Sequence, residues 1–187
     1  MDRISKYTYA LLIGLAIASW WLLTLTGVDE NRQPVPVHSA DVFSTHYVKL
    51  EMNAAGTPKS QLVADKMQHY KDNGVTELQQ PRLSFTNTTT PPWLISAEKG
   101  VLSADGKDLY LDGQVFIERA KSQNSKALKI ITTNLNVKPD INFAETTQRA
   151  ELLSPPNITV GKGMKLVFEQ PIRLELLANV QGKYEKK

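Results

Sequence analysis

The chain has 187 residues, 22 Lys and Arg against 19 Asp and Glu, and a formal net charge of +3. No cysteine occurs, so a disulfide framework, a thiolate nucleophile, a cysteine-ligated metal and a lipid anchor on cysteine are all excluded. The near balance of charge, with no clustered basic face, speaks against nucleic acid as a partner.

The first element is an uncharged run of 22 residues, Tyr7–Val28, of which 16 are apolar. As a helix it would be about 33 Å long, which matches a hydrocarbon core of about 30 Å. Trp20 and Trp21 lie toward its far end, where indole rings favour the membrane interface. Arg3 and Lys6 precede it, and Asp29 and Glu30 follow. That bias predicts a cytoplasmic N-terminus over 1–6, a single transmembrane helix over 7–28 and everything later across the membrane. The alternative is a cleaved signal peptide, because Ala16-Ile17-Ala18 has the small-x-small form of a cleavage site. Cutting there would leave Trp20-Trp21-Leu22-Leu23 at a mature terminus, so an uncleaved anchor is expected.

Residues 29–44 carry Pro34, Pro36 and few large apolar groups, and are expected to be an extended tether. All ten prolines lie after Val28, which disfavours a helical bundle, since an interior proline costs a helix about 3 kcal/mol. From 45 to 187 turn signals begin at Asn53, Asp72, Thr88, Asp105, Ser122, Lys138, Ser154 and Glu169, at intervals of 15 to 19 residues. Each interval holds one strand of about 10 residues. Within them apolar groups alternate: Val48-x-Leu50-x-Met52, Trp93-x-Ile95-x-Ala97, Leu109-x-Leu111, Val115-x-Ile117, Met164-x-Leu166-x-Phe168 and Ile172-x-Leu174-x-Leu176. Period two with polar residues between predicts antiparallel strands with one wet face. Residues 61–71 have some helical spacing, but their neighbours read as strand. Gly161-Lys-Gly163 reads as a turn at a strand end. Long strands without intervening helices suit an all-β, elongated, twisted antiparallel sandwich or open jellyroll. Its interior is either a filled core or an apolar trough, and composition does not choose.

Chemistry for catalysis is sparse. His38, His46 and His69 form no metal-ligand pattern, there is no Gly-x-Ser-x-Gly elbow, and the Gly161/Gly163 pair lacks the third glycine of a dinucleotide loop. Neither an enzymatic activity nor a cofactor is expected.

Several segments taken together are similar to a known family. Trp93-Leu-Ile95-Ser-Ala97, Asp105-Gly106, Leu109-Tyr-Leu111-Asp-Gly113-Gln-Val115, Ile131-Thr-Thr133 with Leu135, Gly161-Lys-Gly163-Met164 and the strand running to Tyr184 follow one another in the order of the LptC family of lipopolysaccharide export proteins. The resemblance implies a single-pass protein of the inner membrane with a periplasmic β-jellyroll, and a non-enzymatic conduit for lipopolysaccharide. It further implies an inner-membrane ABC transporter, a permease pair with its ATPase, as donor, and a periplasmic bridge protein as acceptor, joined strand to strand. With the alternation it nominates Leu50, Leu78, Trp93, Ile95, Leu111, Val115, Leu135 and Leu174 as trough residues. Tyr47 and Val48 are the expected edge toward the permease, and Leu176 and Tyr184 the edge toward the bridge. The competing readings are an envelope scaffold whose β domain makes only protein contacts, and a membrane-anchored sugar-processing enzyme.

Overall fold

The computed structural model describes residues 2–25, 40–86, 90–123 and 125–184, with side chains of the N-terminal helix described at 7, 9 and 11–22. The chain divides into two compact units, Met1–Val37 and His38–Lys187. The first contains α1, Asp2–Leu25, whose run of Ala, Leu and Ile without proline favours a helix. Its described side chains are exposed throughout. Among the described residues no helix is long and apolar enough to cross a membrane. Residues 26–39, which hold the end of the apolar run and most of the expected tether, lie outside the described residues.

The second unit is one antiparallel sheet of ten strands: β1 (Ala40–Met52), β2 (Pro58–Tyr70), β3 (Thr76–Gln79), β4 (Arg82–Phe85), β5 (Trp93–Leu102), β6 (Leu109–Arg119), β7 (Leu128–Lys138), β8 (Phe143–Ser154), β9 (Asn157–Val167) and β10 (Arg173–Lys183). The order is β1-β2-β3-β5-β6-β7-β8-β9-β10, with β4 in line with β3, pairing the other ends of β2 and β5. The all-β expectation holds, and 61–70 fall on β2; the turn signals at Asn53, Asp72, Asp105, Ser122 and Glu169 fall between strands, those at Lys138 and Ser154 begin on the last residues of β7 and β8, and the one at Thr88 lies outside the described residues.

Four details differ from the sequence reading. Strand β1 starts at Ala40, inside the stretch expected as tether. An edge strand needs only a ladder, and here Ala40 pairs with Tyr70 and Phe43 with Gln68, whatever the apolar content. The strand expected between Asp72 and Thr88 is broken by Gln80-Pro81. Gln80 takes a positive φ of 51° and proline cannot donate, so the ladder resumes as β4. Gly161-Lys-Gly163 is not a terminal turn but the middle of β9. Leu50 faces outward, as described below.

These interruptions belong to one pattern. Positive-φ residues His46, Gly113, Asn134, Gly163 and Asn179 fall near the middle of β1, β6, β7, β9 and β10, and Gln80 falls at the break between β3 and β4. Register shifts lie beside them, between Ala97 and Lys99, Leu111 and Gln114, Ile131 and Asn136, and Thr146 and Arg149. A bulge inserts an extra residue, bends the strand and increases its twist. The inward positions accordingly change phase across the line: 93, 95 and 97 give way to 100 and 102, and 130 and 132 to 135 and 137. Backbone groups freed at the bulges find side chains. Asn134 Oδ1 accepts from Gly113 N–H at 3.1 Å, Thr132 donates to the Arg149 carbonyl at 2.9 Å, and Thr146 to that of Thr133 at 3.0 Å. Thr132 and Thr146 are buried polar residues that these bonds satisfy.

Bent along this line, the sheet folds over its own apolar face. Phe168, just past β9, stacks on Phe85 of β4 with centroids 4.5 Å apart and meets Trp93 of β5 edge-on at 5.5 Å.

Candidate functional site

The inward faces of β2 to β9 meet in one continuous apolar interior of 21 buried residues, from Leu62 and Ala64 to Leu166 and Phe168. Seven half-buried apolar side chains pack against it, and five of them, Tyr47, Met67, Ile172, Leu174 and Leu176, lie on or beside β1, β2 and β10. Strands β1 and β10 end the sheet and do not pair with each other. The interior therefore approaches solvent at these two sheet edges, where its half-buried members lie.

Six of the eight nominated trough residues are fully inside: Leu78, Trp93, Ile95, Leu111, Val115 and Leu135, each 1% exposed or less. Leu174 is half-buried against the same cluster. Leu50 is a correction: it is 46% exposed, and Val48 and Met52 on the same outward side are more exposed still. Its partner in the ladder is the exposed Gln61, whereas Lys49 pairs with the buried Leu62 and Glu51 with Ser60. The inward side of β1 is thus Tyr47, Lys49 and Glu51. The edge candidates separate in the same way, Tyr47 inward and half-buried, Val48 outward. On β10 Leu176 leans inward, and Tyr184, one residue past the strand, is exposed.

A polar cluster occupies the β1–β2 end of the interior. Lys49 Nζ lies 2.7 Å from Glu51, and Ser60 Oγ donates to Glu51 Oε2 at 3.0 Å. Burial pushes the Glu51 carboxyl up. Hydrogen bonds from Lys49 and Ser60 and the charges of Lys49 and Lys59 outweigh that and hold it below its ordinary value of 4.5. A depressed folded-state pKa contributes stability that is present above about 4.5 and is lost as pH falls through the lower folded value. In a carboxyl-resolved titration Glu51 is expected to titrate below 4.5, and Ser60→Ala to move its midpoint upward. An unchanged midpoint would refute the role given to Ser60.

At the end of β6 the inward side carries a cation that sequence reasoning missed. Arg119 continues the phase of Val115 and Ile117, the signal that could have found it. Its guanidinium carbon sits 4.7 Å from the centroid of the Trp93 ring, a cation–π contact. Its Nη2 reaches the Lys126 carbonyl at 3.4 Å, and its Nε is buried without a partner. Burial pushes its pKa down.

Among the described residues no group of His, Asp and Glu could hold a metal ion. Chemically the arrangement can enclose apolar matter; its hydroxyl–base contacts, Ser60 with Glu51 at 3.0 Å and Thr76 with His69 at 2.9 Å, lie between neighbouring strands at the β1–β2–β3 side of the sheet.

A family model described as lipopolysaccharide-assembly, LptC-related, matches residues 9–185. Two relatives, each named lipopolysaccharide export system protein LptC, one from Escherichia coli K12 and one from Shigella flexneri, are 27% identical over 129 residues, 68% of this chain. The match spans 66% of the length of these relatives. Among solved structures, LptH from Pseudomonas aeruginosa, the LptA homologous periplasmic component of the lipopolysaccharide transport device, superposes with a TM-score of 0.52. At 10% identity, over 68% of this chain and 95% of that one, this likeness establishes the LptA-like jellyroll fold alone.

Proposed function

Since the chain belongs to the LptC-related family of lipopolysaccharide assembly, a lipopolysaccharide-transport family, we propose that it is a non-enzymatic conduit that holds acyl chains between its edge strands. The observation that carries this is the apolar interior whose half-buried members lie mostly on or beside β1, β2 and β10, with β1 and β10 not paired to each other. Burying acyl chain there gains about 0.8 kcal/mol per CH₂, while an open edge lets the cargo leave. The uncharged run 7–28 is the inner-membrane anchor, its N-terminus in the cytoplasm and the β unit in the periplasm, an assignment supported by the Arg3 and Lys6 bias. Lipopolysaccharide arrives from the ATP-driven inner-membrane transporter, with β1 as the joint, and leaves through β10 to the bridge protein. Free strand edges suit such joints because they carry unpaired backbone donors and acceptors.

The test places a photo-crosslinking residue singly in the full chain and adds lipopolysaccharide before irradiation. Adducts are expected at Leu174 and Leu176, which pack against the interior from β10, and not at the outward Leu50 and Lys165. Equal labelling at all four positions, or none in a folded protein, would overturn the conduit. The second outcome would leave the envelope scaffold, which the outward apolar stripe Val48, Leu50 and Met52 favours as a protein-contact surface.

A further inference from the structure

Next to Trp93 the folded sheet carries a cleft of about 720 Å³. Its walls are mostly apolar: Pro92, Leu94, Leu128, Leu153 and Pro155. Leu128 also packs against the interior, so the cleft adjoins it. Three charged side chains line the cleft. Two of them satisfy each other, Lys129 and Glu118 at 2.8 Å. The third is Arg119, which makes no ion pair among the described residues and whose buried Nε has no acceptor. A partly desolvated guanidinium with donors to spare is costly unless an acceptor arrives. Its planar fork suits phosphate or carboxylate oxygens, which a lysine would meet only as a point charge. An apolar wall beside one unmatched cation is complementary to a molecule that is both greasy and anionic.

We infer that Arg119 is the headgroup subsite of the conduit, binding the anionic phosphate of an amphiphile whose hydrocarbon lies along Leu94, Leu128 and Leu153. This rests on the proposed conduit and adds orientation to it: the cargo is held with its charged end at the Trp93 end of the interior. The Trp93 ring fixes one face of the guanidinium and leaves its edge for oxygen acceptors.

Full chain in detergent is titrated with lipopolysaccharide and with the same lipopolysaccharide stripped of its phosphates. The unsubstituted protein is expected to bind the phosphorylated form about tenfold more tightly, the size of one charge-assisted contact. Arg119→Gln should erase that preference while leaving affinity for the stripped form unchanged, and Arg119→Lys should retain part of it. Circular dichroism confirms that each variant is folded. Equal affinity of the unsubstituted protein for both lipids would overturn the subsite and leave the conduit standing. A uniform loss for both lipids in Arg119→Gln would reduce Arg119 to a packing role and overturn it as well. Inorganic phosphate alone should compete only weakly. If it displaces the lipid's preference at equal concentration, the site reads free phosphate and the headgroup assignment falls. No binding of either lipid would overturn the conduit itself.

Discussion

Trp93→Ala is expected to destabilise the β unit by about 3–5 kcal/mol, as large-to-small changes of buried aromatics do. Trp93 is wholly buried, meets Phe168 edge-on and carries Arg119 on its ring. Removing it leaves a void where β4, β5 and the segment after β9 converge, and the stacked pair Phe85–Phe168 loses its lateral support. It also strands the Arg119 guanidinium, whose remaining contact is the 3.4 Å bond to Lys126. The indole Nε1 is itself buried without an acceptor, so Trp93→Phe gives up no hydrogen bond and is expected to cost clearly less than alanine. Urea unfolding of the full chain in detergent measures both. A loss below about 1 kcal/mol for Trp93→Ala would show that the interior collapses freely around the site, contrary to close packing.

Trp93 was readable from alternation, and the reasons mark where such reading works. Trp93, Ile95 and Ala97, Leu109 and Leu111, and Val115 and Ile117 lie between bulges, where period two is unbroken, and all face inward. Leu50 obeys the same alternation and faces the other way. Strand β1 is an edge strand whose inward side carries the Lys49–Glu51 pair, so its hydrophobic phase no longer reports the core. The changes of phase at Glu98 and Asn134 had only weak signals, because a bulge needs a single residue of unusual φ or an unpaired position, and here Asn134 and His46 take positive φ as well as Gly113 and Gly163. The fold's closure was not legible at all. It depends on Phe168 reaching Phe85, a contact between residues 83 apart that no local pattern encodes. Arg119 was overlooked because a cation at an inward position reads as the end of a strand, not as part of its lining.

The glycines of β9 resemble a terminal turn in sequence for a related reason, and they give the second large expected effect. Gly163→Val is expected to destabilise the unit by about 1–3 kcal/mol and to loosen β10 before the rest of the sheet unfolds. Gly163 sits at φ +74°, where a β-branched residue is strained by that order of energy. A Cβ there would also come within 3.0 Å of Leu177 Cδ1, and one at Gly161 within 3.0 Å of Leu176 Cβ. The two glycines let β10 lie close on β9: Leu176 pairs with Met164 and Ala178 with Lys162, on either side of Gly163. β10 pairs on one side only and most of its residues are exposed, so little else holds it. Amide hydrogen exchange on the full chain should show faster exchange across 173–183 in Gly163→Val, with β5 and β6 unchanged at the same temperature. Uniform acceleration over all strands would mean that the glycine stabilises the whole sheet, and protection unchanged in β10 would mean that it is not what admits the last strand. If the sheet edges are where cargo enters and leaves, the first outcome carries a functional consequence. A loosened β10 displaces Leu174 and Leu176 from the interior, and crosslinking of lipid at those two positions should fall while the buried end of the interior around Trp93 keeps its packing.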